Sequence, residues 1–257
     1  APYTCPVDYL EKVIEKGLVI SEYPKEVSPR PYFYPIRNRI IAGLSKGVII
    51  TEAGVNDLVY NDFFIGDDAD ILIVAGCGIH NSGDEKSQHD GIHTFHIGKN
   101  ARIKYVEKHY GQGDGNGKNI MNPETYVELD ENAYMEMETV QIKGVDSTYR
   151  KTTAKVSKNA TLVVHEKIMT HGNQVADTEF EVELNGENSG THVVSRAVAR
   201  DSSKQKFLSK ITGNNKCSGH TECDAIIMDD ATVAAVPEIL ALNPDASLIH
   251  EAAIGKI

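Results

Sequence analysis

No run of eighteen apolar residues occurs in this chain of 257, so no segment reads as a membrane-spanning helix. The first residues lack a charged stretch followed by an apolar one, and no secretory leader is expected. Cysteine is scarce. Cys5, Cys77, Cys217 and Cys223 are irregularly spaced, which excludes a disulfide scaffold and suits a reducing cytoplasm. Positive charge is also short: 26 Lys and Arg against 37 Asp and Glu leave a net charge of −11, which disfavours nucleic acid as a partner for the chain as a whole. There is no Gly-x-Ser-x-Gly elbow, phosphate-binding loop or His-Glu-x-x-His helix, so the chain carries none of the common hydrolase signatures.

What is present is unevenly spread. Residues 1–53 hold six of the nine prolines and none of the ten histidines, with seven Lys and Arg against six Asp and Glu. Residues 54–257 hold nineteen against thirty-one. The shift predicts two segments, 1–53 and 54–257, joined near Thr51-Glu-Ala-Gly54. The head reads as α/β. A helix over Tyr9–Lys16 is capped by Gly17, and short strands follow at Leu18–Ser21 and Gly47–Glu52. Between them lie the proline-rich run Tyr23–Pro35 and a short helix over Arg37–Ser45.

The body alternates with period two, as in Asp70–Val74, Arg102–Glu107, Tyr134–Val140, Thr161–His165 and Thr178–Leu184, which is a strand signature. A short phrase, Asp or Asn followed by Ala, precedes strand after strand: Asp68-Ala69, Asn100-Ala101, Asn132-Ala133, Asn159-Ala160, Asp230-Ala231 and Asp245-Ala246. The first three alanines are thirty-two residues apart and the last two fifteen apart. Near-multiples of sixteen predict the stacked coils of a β-solenoid, with a turn residue and a small residue at each crowded corner. A β-sandwich is the competing architecture.

Ligand-type residues cluster near the end, in Cys217-Ser-Gly-His220-Thr-Glu222-Cys223-Asp224 and Asn243-Pro-Asp-Ala-Ser-Leu-Ile-His250-Glu251. Thiolate, imidazole and carboxylate hold zinc, iron or iron–sulfur clusters. The alternative is that both cysteines are small buried hydrophobes, since Cys-x5-Cys is not a zinc-ribbon spacing. In Gln88-His-Asp-Gly-Ile-His93-Thr-Phe-His96 a helix would put His89 and His93 on one face, as a metal site needs. Gly91 and the alternation favour a strand with His93 and His96 on opposite sides, hence structural histidines. Cys77, after a buried run, reads equally as an inert or a reactive thiol.

Two resemblances attach to these residues. Ile20-Ser-Glu-Tyr-Pro24, Arg37-Asn-Arg-Ile-Ile-Ala-Gly-Leu-Ser45 and Val48-Ile-Ile-Thr-Glu-Ala53 resemble the middle of the DNA-processing DprA family, which binds single-stranded DNA on a Rossmann-like domain. There Arg37 and Arg39 would contact phosphates. The glycine-rich front half of that domain has no counterpart here. Glu52-Ala-Gly-Val-Asn-Asp-Leu-Val-Tyr-Asn-Asp62, Val74-Ala-Gly-Cys-Gly78, His220-Thr-Glu-Cys-Asp224 and His250-Glu-Ala-Ala-Ile-Gly-Lys-Ile257 resemble the SufB/SufD family of iron–sulfur cluster assembly scaffolds.

The second resemblance implies a right-handed parallel β-helix that forms a homodimer through its last coils. A transient iron–sulfur cluster would assemble at that interface, driven by an ABC ATPase of the SufC type, and pass to recipient apo-proteins. By motif position Cys223 falls on the family's essential cysteine and His250 and Glu251 on its His-Glu pair, with Cys217 added by proximity. The chain would be a scaffold without turnover of its own. It departs from the pattern in three places. Ile249 stands where many relatives have a first Glu, no sulfur-accepting cysteine occurs around Glu128–Asn132, and the helical segment that docks SufC has no counterpart up to Ile257. Weak docking of SufC is the expectation.

Overall fold

The computed structural model describes residues 47–53, 56–112 and 117–257. The helices and the first strand expected in the head fall outside them. Every regular element among the described residues is a strand. The first coils comprise β1 (Gly47–Ala53) with β2 (Asn56–Ile65), β3 (Asp70–His80) with β4 (Ser87–Ile97), and β5 (Arg102–Gln112) with β6 (Asn119–Met121) and β7 (Glu124–Leu129). The later coils pair β8 (Tyr134–Lys143) with β9 (Ser147–Val156), β10 (Thr161–Thr170) with β11 (Val175–Leu184), and β12 (Ser189–Ala199) with β13 (Lys204–Gly213). β14 (Cys217–Ile227), β15 (Thr232–Ala241) and β16 (Ser247–Lys256) complete the chain.

These strands form two sheets. One runs β1-β3-β5-β8-β10-β12-β14-β16, and the other β15-β13-β11-β9-β6-β4-β2, with β7 continuing the level of β6 between β4 and β9. All pairings are parallel. The described residues form a parallel β-solenoid rather than a sandwich, because each strand pairs with the equivalent strand one coil away. The strand expected at Gly47–Glu52 is present as β1, and it extends the first sheet of the solenoid by pairing with β3.

The corners explain the register. Asp68, Asn100, Asn132, Asn159 and Asn188 all have φ between 55° and 60°, a left-handed conformation that Asn and Asp tolerate better than other side chains. Their side chains form a ladder along the solenoid. Each amide nitrogen donates to the oxygen one coil earlier: Asn100 to Asp68, Asn132 to Asn100, Asn159 to Asn132 and Asn188 to Asn159, at 3.0, 3.0, 3.0 and 3.3 Å. Coil lengths along this ladder are 32, 32, 27 and 29 residues, so the thirty-two-residue spacing is one full coil.

The Asp/Asn-Ala phrase merges two different corners. Asp230-Ala231 lies between a first-sheet and a second-sheet strand, on the other side of the coil. There the left-handed residues are Gly144, Gly172, Asp201 and Asp229, and in the later coils carboxylates accept from backbone amides one coil earlier, Gly172 N to Asp201 and Asp201 N to Asp229. That second ladder explains the fifteen-residue interval as half a coil.

Inside, the alternating residues stack into columns. Ile73, Phe95, Ile103, Tyr105, Met135, Met137, Leu162, Phe180 and Ile211 are buried, and Phe63 stacks on Phe95 with ring centroids 4.5 Å apart. Fully burying one such side chain contributes about 1.5–3 kcal/mol. At the far end β15 and β16 are largely exposed. Pro237 sits on β15, which pairs only with β13, an edge where a missing N–H costs no ladder bond.

Because Asn132 combines a left-handed φ with two ladder hydrogen bonds, Asn132→Ala should lower stability by about 2–3 kcal/mol. Asn132→Gly keeps the conformation and should lose about half of that. Equal urea midpoints for the two variants would show that the strain plays no part.

Candidate functional site

Along β14, residues Cys217, Gly219, Thr221 and Cys223 face inward, and His220, Glu222 and Asp224 face outward. Cys223 is 2% exposed and Cys217 5%. Six residues at the rise of a strand put the two cysteines roughly 20 Å apart, so they cannot share a ligand set within one chain. Cys217 stands in the corner column of small residues, in register with Ser189 on β12 and packed against the hydrophobic core. A Cβ on Gly213 would come within 2.9 Å of its sulfur.

His250 is in register with Thr221, and Glu251 with Glu222. His250 therefore shares the inward side with Cys223, on the neighbouring strand and roughly 8 Å away along the diagonal. Glu251 lies on the opposite face. Its carboxylate reaches His220, Oε1 to Nε2 3.9 Å. Of the four residues expected from the sequence, Cys223 and His250 lie on the same side of neighbouring strands without being in register, while Cys217 and Glu251 stand apart from them. The Cys223 thiol is pushed up to about 11 by burial, then by the charges of Glu166 and Asp224. It is a neutral thiol near pH 7 and becomes a ligand only by giving its proton to a base or to an arriving metal. A cavity of about 10 Å³ lies beside it, lined by Ile168, Ser195, Ala197 and Phe207 among others. That is room for one water molecule at most, and not for a cluster.

The outward face adds His192, which motif reading passed over, to His220 and Glu222 of the ligand-type run. His192 and His220 are in register on β12 and β14, with rings stacked at 4.8 Å and 6°, and Glu222 follows on the same face. Burial, then His220 and His165, push the His192 pKa down. Glu222 is pushed up by a shared hydrogen bond with Asp224, then by burial. The period-two rule could have found this trio, because His220 and Glu222 are two apart, but His192 enters only through the register of the coils.

Residues 60–257 match the SUF system FeS cluster assembly SufBD core domain. The chain belongs to the SufBD family. A SufBD family protein of Methanocaldococcus jannaschii is 30% identical over 212 residues, covering 81% of this chain and 65% of the relative. A second, from Archaeoglobus fulgidus, is 27% identical over 203 residues, covering 77% and 53%. This SufBD chain thus spans between half and two thirds of the length of those relatives. Separately, residues 6–57 match DNA recombination-mediator protein A. There the protein Smf of Escherichia coli is 54% identical over 39 residues, covering 15% of this chain and 10% of that protein.

The SufBD solenoid also has a polar interior that no motif announced. One inward column of the first sheet runs Glu107, Thr139, Glu166, Ser195, Cys223 through successive coils. Two buried carboxylates, Glu107 and Glu166, face one buried guanidinium, Arg150. Arg150 Nη1 lies 3.3 Å from Glu166 Oε1, and Nη2 donates to His109 Nδ1 at 2.6 Å. Ser195 donates to Glu166 at 2.7 Å and Tyr105 to Glu107 at 2.9 Å. Cys77 is buried beside this network, its sulfur within 4.8 Å of ligand atoms of Glu107 and His109. His89 and His93 face inward on β4 and His96 outward, as expected for a strand.

Burial, the largest influence on Glu107, raises its pKa, but His109, His93 and Arg150 together overcome it and hold the carboxyl well below its usual range. Burial keeps His109 lowered from 6.5, against the raising charge of Glu107. For both groups the folded value is depressed, so the unfolded chain takes up protons first on acidification. Their stabilisation is present above the ordinary values of 6.5 and 4.5 and is lost as pH falls below them. The wild-type melting temperature should decline from just below neutral pH and more steeply below pH ~5. Glu107→Gln should flatten the more acidic part of that decline. Parallel pH profiles for variant and wild type would overturn the ionised state of Glu107.

Proposed function

We propose that this SufBD chain is a scaffold on which an iron–sulfur cluster is built and then released, working in the cytoplasm without turnover of its own. The observation that carries the reading is the family match over residues 60–257, which takes in the last coils where Cys223, His250 and Glu251 lie. Cys223 supplies a thiolate once deprotonated, His250 an imidazole and Glu251 a carboxylate, with Cys217 the weakest of the four. The cavity beside Cys223 is too small for a cluster, so assembly takes place at the exposed β15 and β16 end. There a second copy of the chain would supply the missing half of the ligand set. An ABC ATPase of the SufC type would drive the opening that lets iron and sulfide reach the buried thiol, and apo-proteins would receive the product. A division into a head and a solenoid body belongs to the same proposal; the boundary expected at 53/54 moves to before Gly47, because β1 (Gly47–Ala53) pairs with β3 in the solenoid, and the two family matches meet between residues 57 and 60.

A second reading rests on the match of residues 6–57: single-stranded DNA binding through Arg37 and Arg39. Salt-sensitive retention of single-stranded DNA that disappears in an Arg37→Ala, Arg39→Ala double variant would support it. Retention equal in variant and wild type would reject it.

For the scaffold, Cys223→Ala is expected to abolish cluster formation on anaerobic reconstitution with iron and sulfide, read by charge-transfer absorption and by iron and sulfide content. The far-UV circular dichroism should be retained. Cys217→Ala should lose less, because that cysteine lies far along the strand. An unchanged yield in Cys223→Ala would sink the assignment. Light scattering at high protein concentration checks the dimer, and a strictly monomeric chain would contradict the shared site.

A further inference from the structure

The outward face of β12 and β14 holds a constellation that the scaffold reading does not use. His192 and His220 stand side by side, one per coil, their rings parallel at 4.8 Å. Neither Nε2 atom makes a hydrogen bond or meets solvent. Buried nitrogens in native structures are nearly always partnered, and no protein group takes that place here. The two imidazoles leave these nitrogens facing carboxylates: Glu222 Oε2 is 3.9 Å from His192 Nε2, and Glu251 Oε1 is 3.9 Å from His220 Nε2. Those distances are too long for hydrogen bonds but leave space for an atom between. Ligand atoms of His192, His220 and Glu222 all lie within 4.8 Å of one another. Arg196, on β12, is turned to Asp224 at 3.8 Å.

We propose that His192, His220 and Glu222 bind one divalent first-row transition metal ion, with Glu251 as a fourth ligand. Two imidazoles and a carboxylate suit ferrous iron, zinc or cobalt(II) rather than calcium or magnesium, which take all-oxygen sets. Metal–nitrogen bonds of about 2.0–2.1 Å require each side chain to swing inward by roughly 1 Å. Rotation on the outward face allows this without moving the strands. The ion would neutralise the carboxylates that converge there. The site needs neither thiol nor sulfide, and the sheet separates it from the inward-facing Cys223; Glu251 alone is shared with the scaffold reading, and His192, His220 and Glu222 carry the proposal without it.

The test uses the full chain, stripped with a chelator and titrated anaerobically with cobalt(II) alone, following the visible d–d absorption. A band saturating at about one cobalt per chain is expected. His192→Ala and His220→Ala should each weaken binding by about 100-fold or more, and Glu222→Gln by at least about 10-fold. His96→Ala, a surface histidine paired with Glu128, should leave binding unchanged. Circular dichroism confirms folding, and His192→Gln and His220→Gln replace any alanine variant that fails to fold. Absence of the band in the native chain, or an undiminished band in both histidine variants, would overturn the proposal. Cys223→Ala is expected to retain cobalt while losing the cluster, so the two readings fail separately.

Discussion

The constraint on which everything else depends is the register between coils. Each strand pairs with the equivalent strand one coil away, and the Asn ladder at the corner ties successive coils together at one residue per turn. Parallel pairing in register places like positions on top of one another. A small residue at the corner of one coil demands a small residue in the next, and an inward polar residue sits over its counterpart. The solenoid is in this sense one-dimensional: local chemistry in one coil is completed only by its immediate neighbours.

That register, with the two-residue period of a strand, sorts the chemistry into two compartments. Inward go the thiols Cys77, Cys217 and Cys223 and the side chains of Glu107, Glu166 and Arg150. Outward go His192, His220, Glu222 and Glu251. Adjacent residues such as His250 and Glu251 are thereby split between the two sides, although in sequence they read as one motif. The interior network is held by complementary partners. Removing one member of such a buried set would leave a charge uncompensated, at a cost of about 3–5 kcal/mol. The polar column is therefore a firm part of the fold as well as the surroundings of Cys223, whose thiol it raises through Glu166.

On the scaffold proposal, burial also sets the terms for cluster chemistry. A thiol with a raised pKa and a water-sized cavity is protected from oxidation and from adventitious metal, and it has to be opened before it can act. The exposed last strands are where such opening costs least, because β15 and β16 each have a single strand neighbour and little covering. On the same proposal, a scaffold that holds and then releases a cluster is served by a site at strands with little covering.

The strands and their faces were legible in the sequence because period-two alternation is a local property. The solenoid was legible because Asp or Asn before Ala recurs at coil and half-coil intervals. The phrase could not distinguish the two corners, since residues of the same type serve both through different hydrogen bonds. Cys223 and the His250-Glu251 pair were proposed as ligands by motif position. What only the tertiary structure decided is which of these residues meet. Sequence neighbours Cys217 and Cys223 lie far apart along one strand, and His250 and Glu251 face opposite ways. His192 and His220, 28 residues apart in sequence, stack ring on ring. The reason is physical: separation along a strand grows by about 3.3 Å per residue while coils are only about 4.8 Å apart, so in a solenoid the nearest neighbour is one coil away.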